Sequence, residues 1–215
     1  MRREVRRQAL TPDAGRRLLG IYAGLARRGA HLLGPLLGGE VPRQWEHYPY
    51  DDAIDTGSGY QWFYHSHSPE DRANAGEHGH FHVFAHRRLW ARRLASADER
   101  AFATLTGGPA QSPPVRHLLC IGMDAKGVPV SLFTVNSWVT GDRMLGARNT
   151  AHLLERMRLD TGHRDIDAVL ECVVALYLPE IRALLAARDV RLFRSRARSV
   201  LEDRRLELLS SVAVV

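Results

Sequence analysis

Six of the 11 histidines lie between positions 65 and 86, and they alternate with other residues: His65 and His67, then His78, His80, His82 and, after Phe84, His86. Successive side chains of a β-strand point to opposite faces, so each set projects from one face of its own strand. Neutral imidazole is the commonest protein ligand for zinc, iron, copper and nickel. A His-x-His pair facing a second such pair therefore supplies three or four nitrogens from two short, stiff segments. Glu77, next to the second set, adds a hard oxygen donor or a general base. Two or three histidines with a carboxylate, leaving a position open to water, oxygen or substrate, make a catalytic centre, whereas four protein ligands make a closed structural one. The candidate metal ligands are His65, His67, His78, His80 and His82, and the candidate catalytic residues are Glu77 and His80.

A hairpin would position them. If residues 68–77 form its loop, the antiparallel register pairs His67 with His78, His65 with His80 and Phe63 with His82. Opposed side chains then have Cβ atoms about 4.5–5.5 Å apart, and four imidazoles form a square with His82 beside it. The other face carries Tyr60, Trp62 and Tyr64 against Phe81, Val83 and Ala85, an apolar surface fit for a core. Gly79 falls on that second face, where a missing side chain suits a bend or a bulge. A lone histidine usually serves as a polar residue bonded to its surroundings, and His31, His47, His152 and His163 are assigned that role. Neighbouring imidazoles on one face are different, because they repel when protonated and need partners when buried. His86 and His117 are left open; His117 can join only if its strand lies beside the hairpin.

Two resemblances attach to these residues. The run His78-Gly-His-Phe-His-Val-Phe84 resembles, in spacing, the signature of the histidine triad nucleotide hydrolases and transferases, with Gly79 at a position that is apolar in that pattern. The resemblance implies covalent catalysis, with His80 attacking an α-phosphate and His78 and His82 flanking it. A longer set, Tyr64-His-Ser-His67, Glu77-His-Gly-His-Phe-His82, the segment from Leu132 to Gly141 and the helical run beginning Leu178-Pro-Glu-Ile, resembles a bacterial family of unknown function over residues 47–189. That resemblance implies an intact unit and no particular activity.

Apolar residues make up 45% and charged residues 25% of the 215, ordinary values for a soluble domain with a substantial core. A net charge of +6 invites a nucleic-acid reading, but Lys126 is the sole lysine among 30 basic residues, so the excess of arginine reads as codon bias. Some clustering exists at 2–7, 87–93 and 191–205, but no helix-turn-helix is evident, and a nucleic-acid partner is not expected. Cys120 and Cys172 are too few for a disulfide framework and form no Cys-x-x-Cys pair. No apolar run reaches the roughly 18–20 residues that span a bilayer. These features point to a cytoplasmic protein with a small-molecule substrate and no membrane partner, and they are compatible with a homo-oligomer.

Along the chain, Thr11-Pro12-Asp13 reads as a helix start, followed by helical spacing from Leu18 to Leu33 that ends near Gly34-Pro35. Residues 36–55 read as a connecting loop, with Trp45, His47 and Tyr48 wrapping the sheet. Residues 87–105 read as partly helical, with a capping box at Ser96-Ala-Asp-Glu99, and 106–114 as a break. A second hairpin joins 117–123 to 128–136 through Asp124-Ala-Lys-Gly127, and Asn136 to Gly141 could rim a pocket. Helices follow from Gly146, interrupted at Pro179, and an Arg- and Glu-rich amphipathic helix is expected over 194–209.

The predicted fold is α+β: an antiparallel sheet of at least four strands with N-terminal and C-terminal helices packed on it. It reads as a single domain over 1–215, with an N-terminal helix in 1–40, the His-rich sheet in 41–145 and C-terminal helices in 146–215. The chemistry expected of it is that of a metal-dependent enzyme. Iron in an oxidative reaction ranks ahead of zinc in a hydrolytic one, and haem with a histidine axial ligand ranks third. A metal sensor or DNA-binding regulator is the non-enzymatic alternative.

Overall fold

A computed structural model describes residues 2–67, 76–107, 113–195 and 197–214, with the backbone alone for 2–12. Helix α1 (Arg2–Arg27) runs straight through Thr11-Pro12 instead of starting there. Pro12 removes one backbone donor, yet the following turns bring Leu18, Ile21, Tyr22 and Leu25 onto the core, and that packing outweighs the local stop signal. The helix also ends earlier than the apolar spacing suggests, because Gly29 takes a left-handed conformation at φ 62°. Gly34 and Pro35 open a separate single turn, α2 (Gly34–Leu37).

The segment expected to be a loop holds a strand, β1 (Tyr48–Ile54). Pro49, Asp51 and Asp52 disguise it. An edge strand tolerates them, since one side of its backbone needs no partner, and the pairing with the next strand is interrupted between Tyr48 and Ala53. Strands β2 (Tyr60–Ser66) and β3 (Gly79–His86) then pair in the register the sequence implies, with Phe63 opposite His82 and His65 opposite His80. The His67 N–H donates to the His78 carbonyl at 3.2 Å and continues the ladder. Most of the expected hairpin loop, 68–75, lies outside the described residues, as do 108–112 in the expected break.

After α3 (Arg87–Trp90) and a 3-10 turn at Ala91–Ala95 comes α4 (Ala97–Thr106). Ser96 Oγ caps α4 by accepting from the Glu99 N–H at 3.2 Å. The return half of the capping box is not made: Glu99 Oε1 accepts instead from the Gly146 N–H and the Asn149 side chain. Strands β4 (Val115–Met123) and β5 (Pro129–Val135) form the second expected hairpin, closed by Asp124 Oδ1 accepting from the N–H groups of Lys126 and Val128. Then follow α5 (Ser137–Thr140), the two-residue β6 (Arg143–Met144), α6 (Ala147–Glu155), α7 (Arg164–Leu176) and α8 (Leu178–Arg194). Pro179 sits in the first turn of α8, where its missing N–H costs nothing.

Among the described residues of 194–209, the last expected helix is not formed. Beyond α8 a 3-10 turn at Val200–Glu202 leads into β7 (Leu208–Ala213), which pairs with the free edge of β5. The edge of β5 needs partners for its backbone groups, and that need overrides the helical look of the charged stretch. The result is an α+β fold whose seven-stranded sheet runs β1-β2-β3-β4-β5-β7. All pairings are antiparallel except that of β6 beside β4.

One face of this sheet builds the main core. Trp62, Tyr64, Phe81, Val83, Leu119 and Ile121 are fully buried there, in one cluster with Leu153, Val169, Val173 and Leu185 from α6, α7 and α8. Among the described residues no helix is long and apolar enough to cross a membrane.

Candidate metal centre

The opposite face of the sheet carries the histidines in ordered rows. One row reads His65, His80, Gly122, Ser131 across β2, β3, β4 and β5; the next reads Phe63, His82, Cys120, Phe133. His65, His80 and His82 are 8%, 2% and 1% exposed. Their Nε2 atoms converge: His65 to His80 is 2.9 Å, His80 to His82 is 2.9 Å and His82 to His65 is 3.3 Å. Metal–nitrogen bonds of roughly 2.0–2.1 Å at 90–110° to one another place their nitrogens about 2.9–3.4 Å apart. The triangle has the dimensions of three ligands around one ion.

The rings of His80 and His82 are held from behind. His80 Nδ1 lies 2.9 Å from Glu77 Oε1, and Glu77 Oε2 accepts from Ser131 Oγ at 2.9 Å. The Glu77 side chain is buried to 2% exposure and lies across Gly122, where any Cβ would collide with its carboxylate and with Ser131 Oγ. Gly122 is therefore the gap in the row that admits the carboxylate. His67 Nε2 approaches the same His80 Nδ1 at 3.2 Å. His82 Nδ1 is 3.1 Å from His117 Nε2, and Cys120 Sγ is 3.4 Å from each of them.

Burial decides the protonation of this group. Desolvation, followed by the neighbouring imidazoles of His117 and His65, holds His82 well below the usual histidine range. Burial, and then the Arg188 guanidinium, pushes His117 down to about 3. Both rings are neutral at pH 7, the form in which imidazole binds a metal.

The four-imidazole square expected from the sequence does not form, because His78 leaves the set. Strand β3 begins at Gly79, so His78 lies in the bend before it and escapes the strand alternation. Its Nδ1 meets the Tyr64 hydroxyl at 2.7 Å on the core side, and the Tyr64 ring occupies the space a Cβ at Gly79 would need. Gly79 thus allows a close approach and makes no bulge. His67 stands at the rim of the cluster, half-buried. Of the two histidines left open, His117 joins and His86 does not: His86 Nε2 pairs with Gln61 Oε1 at 2.8 Å toward the far end of β3.

Sequence reasoning missed Cys120 and Ser131, whereas the aromatic cover from the stretch before β1 is the wrap it expected. His117 and Cys120 are three residues apart, a spacing that puts them on opposite faces of a regular strand. A register shift between Val83 and Phe84 gives β4 one extra residue, Leu118, and brings both side chains to the histidine face. Nothing local announces that bulge. Ser131 could have been suspected from its alternation with Phe133, but its partner Glu77 is remote in sequence. The aromatic residues of the stretch before β1 form the cover: His47 stacks on Phe63 with ring centroids 3.6 Å apart. Trp45, at φ 66° and 60% exposed, meets the rings of His67 and His65 edge-on at 4.9 and 5.8 Å.

The chain belongs to a family described as a domain of unknown function, DUF6969, whose model matches residues 12–214. No curated protein and no solved structure matches the chain.

Proposed function

We propose that the protein is a metal-dependent enzyme acting on a small molecule, with one transition-metal ion held by Nε2 of His65, His80 and His82. The observation that carries this reading is the convergence of those three nitrogens to within 2.9–3.3 Å of one another in a nearly dry site. The hydrogen bonds behind the rings support it. A proton on His80 Nδ1 shared with Glu77, and one on His82 Nδ1 shared with His117, leave the Nε2 lone pairs of both rings free to bind. Carboxylate–histidine pairs of this kind fix ring orientation and raise ligand basicity.

Three nitrogens from one side leave coordination positions for water, oxygen or substrate. A bound ion would supply Lewis acidity or, for iron, redox chemistry; iron in an oxidative reaction is the first choice and zinc in a hydrolytic one the second. Glu77 acts through His80, as a positioning residue. Substrate enters past exposed Trp45 and half-buried His67. A reducing cytoplasm, in which buried Cys120 stays a thiol, suits the site.

The histidine-triad alternative needs a His80 nitrogen that an incoming phosphate can reach. It gains less support, since His80 is 2% exposed with Nδ1 beside Glu77 and Nε2 beside His65 and His82. Metal analysis and an absorption spectrum of protein purified without a polyhistidine tag test the proposal. At least one equivalent of iron or zinc is expected, and one equivalent is lost on joint His65→Ala and His80→Ala substitution while the circular dichroism is kept. Metal-free, active protein carrying a phosphorylated or nucleotidylated His80 would hand the reading to the triad alternative.

A further inference from the structure

The three-histidine centre leaves a second set of donors unexplained. His82 Nδ1, His117 Nε2 and Cys120 Sγ close a triangle of 3.1, 3.4 and 3.4 Å on the side of His82 away from His65 and His80. Cys120 is fully buried and His117 nearly so, and Phe133 and Val135 pack with the thiol in a small apolar cluster of their own. Metal–nitrogen bonds of roughly 2.0–2.1 Å and metal–thiolate bonds of about 2.3 Å, at 90–110°, require nitrogen–sulfur separations of about 3.1–3.6 Å. Both observed nitrogen–sulfur distances fall inside that range. The bulge that turns His117 and Cys120 to one face is what assembles the set.

We propose that His82, His117 and Cys120 form a second metal site, specific for a thiophilic ion of the zinc or monovalent copper class, joined to the three-histidine centre through the two nitrogens of His82. Its donors differ in kind from those of the first centre. Two imidazoles and a thiolate in apolar surroundings favour a softer ion than three imidazoles beside a carboxylate. The two ions share one ring, so each alters the basicity of the nitrogen that binds the other. Loading displaces two protons to solvent: the Cys120 thiol proton, as the sulfur–metal bond forms, and the ring proton that His82 Nδ1 shares with His117 when only the first centre is filled. The inference rests on the reading above only in the use of His82.

Cobalt(II) is the probe, because a cobalt–thiolate bond gives a near-ultraviolet charge-transfer band that nitrogen and oxygen ligands do not. Metal-free protein titrated with cobalt(II) should bind two equivalents, with the thiolate band accompanying one of them. Cys120→Ser should abolish that band and one equivalent, Cys172→Ser should leave both, and His117→Asn should weaken the banded equivalent at least tenfold. Unchanged circular dichroism and retention of the other equivalent show that Cys120→Ser has folded. A titration that ends at one equivalent without a thiolate band, or a second equivalent untouched by Cys120→Ser, overturns the proposal and means that the three atoms are only hydrogen-bonded. His65→Ala separates the two readings. Loss of the unbanded equivalent with the band retained supports both, whereas a single banded equivalent indifferent to His65→Ala upholds this site and defeats the three-histidine centre.

Discussion

The two faces of the sheet are buried alike and built in opposite ways. On one, Trp62, Tyr64, Phe81, Val83 and Ile121 meet the helices with apolar surface. On the other, His65, His80, His82, His117 and Cys120 are buried to a similar degree among one another. Burying apolar area stabilises by about 25 cal/mol per Å², whereas a buried polar group repays its desolvation only when it is hydrogen-bonded. The first face therefore holds the fold together. The second offers little net stability and concentrates lone pairs, which is what a ligand site needs and what selection for stability alone would remove.

Three experiments test that division, beginning with the largest effect. Trp62 is wholly buried and its Nε1–H donates to Asp167 Oδ1 at 2.8 Å, so Trp62→Ala should cost roughly 3–5 kcal/mol. Urea denaturation of the metal-free protein measures it. A loss no larger than that of substitutions on the histidine face would erase the contrast.

Acid should act on the histidine face selectively. His82 and His117 have folded-state pKa values below the unfolded 6.5, so between those values the unfolded chain binds protons that the folded one refuses. Their contribution is intact above pH 6.5 and is lost as the pH falls toward the folded values, about 3 for His117. Metal-free protein should lose on the order of a few kcal/mol on this account. Part of the slope should already be visible between pH 6.5 and 5, above the range where ordinary carboxylates titrate, and His117→Phe should flatten it. A level stability curve over that interval would mean the imidazoles are not held neutral.

The smallest effect probes the join between the rows. A Cβ at position 122 meets Glu77 and Ser131 Oγ, so Gly122→Ala should cost about 1–3 kcal/mol by overpacking. By displacing the carboxylate behind His80 it should also weaken metal binding roughly 10–100-fold. Competition with a chromophoric chelator reads the affinity, and unaltered binding would mean Glu77 has no part in holding His80.

Where sequence and structure part, the cause is long-range pairing. The register of β2 with β3 was legible because alternation is local and a slip of one residue would turn every side chain to the wrong face. β1 and β7 were not, because both are edge strands, and their sequences, with Pro49 and paired aspartates in one and a charged approach in the other, carry little strand signal. They are strands because β2 and β5 offer unpaired backbone edges. His78 misled for the reverse reason: its spacing fits the pattern, but the strand begins one residue later.

The order of residues by itself determined the hairpin, its apolar face and the meeting of His65 with His80 and His82, since the two-residue period of a strand needs no information from elsewhere in the chain. Only the tertiary structure decided which further donors stand behind those rings. Glu77 reaches its place through Ser131 and the gap at Gly122, and His117 and Cys120 reach theirs through a bulge in β4, all set by pairing between strands distant in sequence. Side-chain facing is a local property of a strand, whereas what lies beside it depends on which strand pairs there and in what register.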